Sequence, residues 1–263
     1  MRRAIQDSAK SVLKRMNIGI LSYSSLQKLI EKSHAASDVE LLLELKLPDE
    51  ISLWLSKTFR NSKSDLRQDL FVLSELGFKK NGFFVEFGAA NGVDFSNTYL
   101  LEKEFGWNGI LAEPAKCWHD DLRNNRGCSI ETDCVWSNSN STLTFNEADI
   151  GQLSTIDSYS SSDLFRPIRK SGKKYDVRTI SLVDLLDKHH APKEIDYLSI
   201  DTEGSEFEIL SNFDFAAYRF KIITCEHNFT PAREKIFSLL TRNGYVQTLA
   251  RFSRYDDWYV RPD

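Results

Sequence analysis

The sequence has 263 residues, of which 41% are hydrophobic and 12% aromatic, enough to build one substantial core and to exclude a largely disordered chain. Its formal net charge of −4 divides into +4 for residues 1–80 and −8 for the remainder; an acidic body disfavours a phosphate backbone, so no nucleic-acid partner is expected. The four cysteines match no zinc or disulfide spacing, and the absence of a long apolar run or a signal peptide indicates a cytoplasmic protein without a transmembrane segment.

Residues 1–77 repeat apolar positions at helical spacing and predict a helical N-terminal extension, which is followed by a main domain over residues 78–263. The first helix has a basic face that suits an anionic membrane surface, a partner helix or, more simply, solvent. Apolar residues at 26–30 and 41–45 indicate further helices, and a last one over 66–76 ends near Gly77. This extension is a candidate for covering an acceptor site or for forming a homo-oligomer.

The segment Phe83–Phe87 is short, apolar and aromatic, and predicts a buried parallel strand. It runs into a turn of small residues from Gly88 to Gly92, where glycine lets the backbone approach a ligand closely. Around Ser96 and Asn97 the next helix begins, and its free N–H groups attract anions. These features favour a nucleotide-like cofactor, although the spacing is not that of the dinucleotide fingerprint G-x-G-x-x-G.

The second predicted strand, 109–112, ends at Glu113 and Pro114. An acidic residue at this place in a βαβ unit accepts hydrogen bonds from ribose hydroxyls, whereas its simpler role would be to cap the next helix. A third strand over 129–136 runs into a loop at Asp133, which either accepts a hydrogen bond from an adenine amino group or is solvated.

Acidic residues follow the fourth and fifth predicted strands, 195–201 and 221–225. Because open α/β sheets bind ligands in the crevice at the carboxyl ends of their strands, Asp201, Glu203 and Glu226 are site candidates. Oxygen ligands of this kind suit a divalent cation such as Mg²⁺. His227 is the candidate catalytic base, and its alternative role is structural.

Residues 154–178 are serine-rich and then basic, lack periodicity, and predict a long loop. Such a loop acts as a lid over an anionic acceptor such as a nucleotide sugar, or it is solvated surface. A helix over 232–240 and two closing strands, 244–249 and 257–260, complete an alternation of strands and helices that predicts a doubly wound α/β sheet.

Together, these motifs resemble the FkbM family of methyltransferases over roughly residues 80–262. The motifs that carry the resemblance are Phe84–Ala89, Ser96–Glu102, Gly106–Leu111, Glu113-Pro114 and Asp201–Glu206. The resemblance implies the Rossmann-like class I methyltransferase fold, a mostly parallel seven-stranded sheet flanked by helices, with an antiparallel last strand. It also implies S-adenosylmethionine as methyl donor and a small-molecule hydroxyl acceptor on a sugar or a polyketide-type natural product.

The same resemblance implies a cofactor site at the ends of the first three strands. Its residues are Glu86, Gly88, Ala89, Asn91, Gly92, Ser96, Asn97, Glu113, Pro114, Asp133 and Cys134. Glu86 and the residues at 88, 96 and 97 would line the methionine end, Glu113 the ribose, and the loop of Asp133 the adenine. An acceptor alcohol must also lose its proton or be polarised, either by His227 or by a cation held by the three carboxylates.

Two other classes of function compete with this hypothesis. An NAD(P)-linked oxidoreductase also uses a glycine turn and a second-strand acid, but the missing third glycine of the fingerprint argues against it. A catalytically degenerate binding module would keep the fold without the chemistry, and the acids at the strand ends argue against that.

Overall fold

A computed structural model describes residues 37–41, 43–45, 58 and 60–262 of the chain. The chain divides into two units, Met1–Leu47 and Pro48–Asp263. In the first unit residues 37–41, 43 and 44 are helical, which confirms the helix predicted near residue 41. The predicted basic helix and the helix at 26–30 lie outside the described residues. Within the described part of the chain, every helix is too short or too polar to cross a bilayer.

The second unit contains eleven strands among its described residues. They are β1 Phe83–Phe87, β2 Asn108–Ala112, β3 Ser129–Glu131, β4 Cys134–Trp136, β5 Thr142–Glu147, β6 Thr155–Ile156, β7 Lys173–Ser181, β8 Glu194–Ile200, β9 Arg219–Glu226, β10 Val246–Thr248 and β11 Asp256–Val260. The helices are α1 Gln68–Glu75, α2 Tyr99–Phe105, α3 His119–Asn125, α4 Arg166–Arg169, α5 Leu182–Lys188, α6 Glu206–Ser211 and α7 Ala232–Arg242.

Seven strands form the main sheet in the order β10-β11-β9-β8-β1-β2-β3. β3, β2, β1, β8 and β9 pair in parallel, whereas β11 runs antiparallel between β9 and β10. The central strands are buried almost throughout, as expected for a sheet that is covered on both faces. This order, with its switch point between β1 and β8, confirms the predicted class I methyltransferase fold.

The sequence interpretation of residues 129–181 was wrong in two places. The predicted third strand is split: β3 ends at Glu131, whose carboxylate accepts the backbone N–H groups of Thr132 and Asp133 and turns the chain towards β4. The predicted loop 154–178 instead contains β6, α4 and much of β7. Together β4, β7, β5 and β6 form a second, four-stranded sheet inserted between β3 and β8.

A small apolar core supports the inserted sheet. It is built from Ala115, Cys134, Phe145, Ile156 and Val177, with aromatic side chains packed around it. In β7 the inward residues Val177 and Thr179 alternate with the exposed Asp176 and Arg178. This alternation is typical of a strand with one solvent-exposed face, because successive side chains point to opposite faces of a sheet.

Candidate active site

A cleft of about 380 Å³ opens at the carboxyl ends of the central strands. Its walls come from the loops after β1, β2, β8 and β9, from the inserted sheet, and from the segment before α1. Nine of the predicted site residues line it: Glu86, Gly88, Asn97, Glu113, Pro114, Cys134, Asp201, Glu203 and Glu226. This is the crevice in which an open α/β sheet binds its ligand.

The carboxylate of Glu86, at the end of β1, organises the loop that leads to α2. It accepts hydrogen bonds from the backbone N–H of Asn97 at 2.7 Å, from Ser96 Oγ at 3.0 Å and from Thr98 Oγ1. Asn97 in turn donates to Ser199 Oγ on β8 at 3.0 Å and accepts from Ser64 Oγ at 2.6 Å. These bonds fix the loop as one wall of the cleft.

Arg126 holds the same loop from behind and was not identified from the sequence. Its fully buried guanidinium donates to Glu102, to the carbonyl oxygen of Gly92, to Ser96 Oγ and to Thr98 Oγ1. A Cβ on Gly92 would lie 2.6 Å from Arg126 Cγ. Gly92 and Ser96 therefore do not line the cleft; they contact Arg126 behind the loop that does.

Gly88 has a φ of 73°, and a Cβ there would lie 1.9 Å from the carbonyl oxygen of Asp201. The turn after β1 and the end of β8 therefore approach each other more closely than any side-chain-bearing residue would allow. Ala89 and Asn91 follow in the same turn. Asn91 uses its side chain locally, accepting from Val93 and Asp94 N–H groups, and does not line the cleft.

Glu113, after β2, is buried and accepts the backbone N–H groups of Ala90 and Ala115, both at 2.8 Å. Burial raises the pKa of Glu113 to about 7, against the lowering effect of these two bonds. Cys134 and the apolar residues Val135, Phe145 and Ile156 form the adjacent wall. Asp133 lies off the cleft, where it pairs with Arg178 at 2.8 Å.

Asp201, Glu203 and Glu226 form the acidic group of the site. One carboxylate oxygen from each lies within 4.8 Å of the others. Glu226 Oε2 is buried without a hydrogen-bond partner among the described residues. Desolvation by the cleft walls raises the pKa of Asp201 to about 6, and burial together with Asp201 raises the pKa of Glu226 well above its usual value.

Arg169, which the sequence suggested as part of a solvated or anion-clamping loop, is fully buried. It donates to Glu203 Oε2 at 2.7 Å, to both oxygens of Asp163 and to the carbonyl oxygen of Leu153. Asn228 also donates to Glu203 Oε2, at 3.1 Å. Burial and the neighbouring Asp201 nevertheless raise the pKa of Glu203 to about 9. One oxygen of Glu203 is thus fixed, which leaves the other for a ligand.

His227 follows Glu226 in the chain but does not line the cleft. Its Nδ1 accepts the backbone N–H of Phe229 at 3.0 Å, so the ring proton is on Nε2 in the neutral form. Nε2 lies 3.6 Å from Asp257 Oδ1, in a pocket that also holds Arg233. These contacts hold the imidazole within the turn after β9, outside the cleft lining.

Comparison with known proteins places this cleft in a family context. The profile described as "Methyltransferase FkbM domain" matches residues 86–247, more than half of the chain and nearly the whole of the cleft. The match favours a methyltransferase over an NAD(P)-linked oxidoreductase. No curated protein matches the sequence.

Several solved structures are similar to the chain. One is a precorrin-6y C5,15-methyltransferase from Geobacter metallireducens, with 14% identity, TM-score 0.38, and coverage of 69% of this chain and 72% of that one. A METTL16 methyltransferase domain has 13% identity, TM-score 0.41 and coverage of 76% and 69%. A fibrillarin from Aeropyrum pernix with natively bound S-adenosyl-L-methionine has 10% identity, TM-score 0.37 and coverage of 74% and 75%.

Proposed function

The chain belongs to the FkbM family of S-adenosylmethionine-dependent methyltransferases, and from that premise we propose that its acceptor is a hydroxyl oxygen on a sugar, a nucleotide sugar or a polyketide-type small molecule. The observation that carries this proposal is the acidic group of Asp201, Glu203 and Glu226 at the cofactor cleft. A hydroxyl is a poor nucleophile until its proton is removed or its oxygen polarised, and carboxylates serve both purposes.

The cleft residues fit the parts of S-adenosylmethionine. Glu113 offers carboxylate oxygens to the ribose hydroxyls, beside an apolar wall of Val135, Phe145 and Ile156 that suits the adenine ring. Glu86 and Asn97 border the remaining part of the cleft, which suits the methionine end. When bound, the cofactor supplies an electrophilic methyl group. The protein's contribution is to align the acceptor oxygen with that methyl group and to exclude water.

The same acidic group has the donors for a divalent hard cation. It offers carboxylate oxygens only, as Mg²⁺ prefers, and the cation would become the partner that the buried Glu226 Oε2 lacks among the described residues. Such a cation would lower the pKa of a coordinated hydroxyl. Asp201, Glu203 and Glu226 would then act as its ligands, while Arg169 and Asn228 keep Glu203 in place.

Calorimetric titration tests the cofactor site. We expect S-adenosylmethionine and S-adenosylhomocysteine to bind, and NAD and NADP not to bind. Glu113→Gln should weaken binding by about 10-fold, since the variant loses one of the two carboxyl oxygens that accept from the ribose and a hydrogen bond contributes about 0.5–1.5 kcal/mol. The matched control, Glu194→Gln, changes an exposed glutamate at the opposite end of β8 and should bind as the wild type does. Absence of adenosyl-ligand binding would contradict the assignment.

The acceptor chemistry is tested by titrating Mg²⁺ into the protein and by assaying sugars, nucleotide sugars and polyketide-type alcohols with and without a chelator. Glu226→Gln, which keeps the shape of the side chain, should abolish Mg²⁺ binding and lower methyl transfer by at least about 100-fold. It should retain S-adenosylhomocysteine binding. Methylation on nitrogen or carbon, or full activity of Glu226→Gln, would overturn the hydroxyl proposal.

A further inference from the structure

Several exposed apolar side chains lie on segments that line the cleft. The described residues expose eight large hydrophobic side chains, and four of them belong to loops that form the cleft walls: Phe95, Ile150, Leu164 and Phe229. Phe95 itself lines the cleft, and each of the other three is adjacent to a lining residue, namely Gly151, Phe165 and Asn228. We call these four side chains the apolar rim. Exposed hydrophobic side chains around the mouth of a site are candidates for contact with an apolar partner.

Rigid loops display the rim. Phe95 and Phe229 have φ values of 62° and 55°, a left-handed conformation that is costly for bulky residues. Arg126 braces the loop of Phe95 through Gly92 and Ser96. His227 holds Phe229 through its backbone N–H, with the two rings edge to face at 5.4 Å between centroids. His227, off the cleft, therefore has a role in presenting Phe229.

The loop of Leu164 is fixed in a comparable way. Leu164 is 88% exposed, although the neighbouring Asp163 is held by both Nη1 hydrogen bonds of the buried Arg169. The segment beneath this loop is thus held by buried hydrogen bonds, while Leu164 itself is exposed to solvent. The four apolar side chains project separately from fixed loops. This arrangement favours insertion into a fluid lipid layer over docking on a flat protein surface.

Basic side chains flank the rim at Leu164. Arg166 and Lys170 are exposed, and neither forms an ion pair with the described residues. Asp94 and Asp149, next to Phe95 and Ile150 in the chain, are exposed acids that accept hydrogen bonds from Asn91 and Ser171, so the basic charge is confined to the Leu164 side of the rim. Free cations beside apolar tips complement an anionic lipid surface, where each Lys or Arg adds attraction.

We propose that the apolar rim docks on an anionic lipid surface, so that the acceptor hydroxyl belongs to an amphipathic molecule anchored in that surface. The inference rests on the proposed hydroxyl methylation and narrows its acceptor class. Insertion of the rim would bring the cleft mouth to the lipid headgroups, where a lipid-borne hydroxyl reaches Asp201 and Glu226 without leaving the membrane.

Co-sedimentation with vesicles tests this docking directly, using the full chain and vesicles of phosphatidylcholine alone or mixed with phosphatidylglycerol. Wild type should bind the mixed vesicles, and its binding should weaken with salt. A Leu164→Ser and Phe229→Ser double variant should lose at least about 10-fold in partitioning. The control, Val246→Ser, removes another exposed apolar side chain, on β10 and outside the rim, and should bind as wild type.

The charge contribution is measured separately with an Arg166→Gln and Lys170→Gln double variant, which should lose the preference for phosphatidylglycerol. Retained S-adenosylhomocysteine affinity shows that each variant is folded. Failure of wild type to bind vesicles, or equal binding by the rim variant, would overturn the docking proposal while leaving hydroxyl methylation intact. Self-association of wild type that the rim variant abolishes would also overturn it, in favour of a protein interface.

Discussion

Gly88 determines how closely β1 and β8 approach each other at the cleft. Its positive φ is shared with Gly77, but the surroundings of the two glycines differ. A Cβ on Gly77 would meet nothing within 4 Å, whereas a Cβ on Gly88 would overlap the carbonyl oxygen of Asp201. The two positions therefore separate the cost of the backbone conformation from the cost of the close contact.

We expect Gly77→Ala to lower the free energy of unfolding by about 1 kcal/mol, the cost of left-handed backbone in alanine. Gly88→Ala should lower it by roughly 3 kcal/mol, because the overlap adds to that cost. It should also weaken S-adenosylhomocysteine binding, since the shift moves Asp201 and the turn after β1. Urea denaturation and calorimetry measure the two effects. Equal losses in the two variants would contradict the close-contact argument.

Single-residue patterns were enough to locate the acids of the cleft but not the cations that hold them. Glu113, Asp201 and Glu226 each follow a strand, and the carboxyl ends of parallel strands meet at one edge, so sequence position alone predicts their neighbourhood. Arg126 and Arg169 lie 24 and 34 positions from Glu102 and Glu203, their respective partners. Such pairs form only through tertiary folding, and no local spacing distinguishes them from surface arginines.

Among the elements, the inserted sheet was the least predictable. Its strands β4 and β6 have three and two residues, too few to show a period. β7 opens with Lys173 and Lys174, which resemble a solvated loop, although the alternation from Tyr175 to Thr179 is a strand signal. The central strands of the main sheet were predictable because they are short, mostly apolar runs that end in turn residues.

The buried side chain of Arg169 joins the inserted sheet to the end of β8. Its guanidinium connects the loop at Leu153, the turn at Asp163 and Glu203 after β8. Thr155 adds a second connection, donating to the carbonyl oxygen of Glu203 at 3.0 Å. The cleft wall from Gly151 to Phe165 therefore depends on Arg169 for its position.

Removing Arg169 should disturb both stability and catalysis. Arg169→Gln leaves Asp163 and Glu203 buried without their cation, which costs about 3–5 kcal/mol of unfolding free energy. Arg169→Lys keeps the positive charge but loses the planar set of guanidinium donors, and this variant should fold. It should lower kcat more than it raises KM, because Glu203 is displaced. Arg219→Gln, at an exposed arginine 3.7 Å from Glu194, is the control and should match wild type. Wild-type kinetics in Arg169→Lys would show that Glu203 needs no fixed position.

Several buried acidic side chains lie in and near the cleft. Burial raises the pKa of Asp69 and Glu113 to about 7 and that of Asp256 to about 8. Gln68 links α1 to Asp256, donating to its carboxyl group at 3.0 Å. These acids are better accommodated in the neutral form, so the folded protein holds protons that the unfolded chain has released above about pH 4.

The sign of the resulting pH dependence follows from this uptake of protons. Between pH 5 and pH 7 the folded state binds more protons than the unfolded state at these groups, so the free energy of unfolding should fall as the pH rises, by up to about 1.4 kcal/mol per pH unit for each group. Glu102, whose pKa is lowered to about 2 despite partial burial, opposes this trend only below pH 5. Stability should therefore be greater at pH 5 than at pH 7.

The contribution of Asp69 to this pH dependence can be measured separately, because Asp69 lies on α1 and does not line the cleft. One carboxyl oxygen accepts from Ser62 Oγ and the Leu70 N–H, while the other is buried without a partner. Asp69→Asn keeps the shape and cannot ionise, so the variant should gain more stability relative to wild type at pH 7 than at pH 5. Urea denaturation at both pH values measures the difference, with Asp176→Asn, an exposed change on β7, as control. An unchanged slope in Asp69→Asn would mean that Asp69 is charged in the folded protein, and that the cost of burying it is offset by groups other than Ser62 and Leu70.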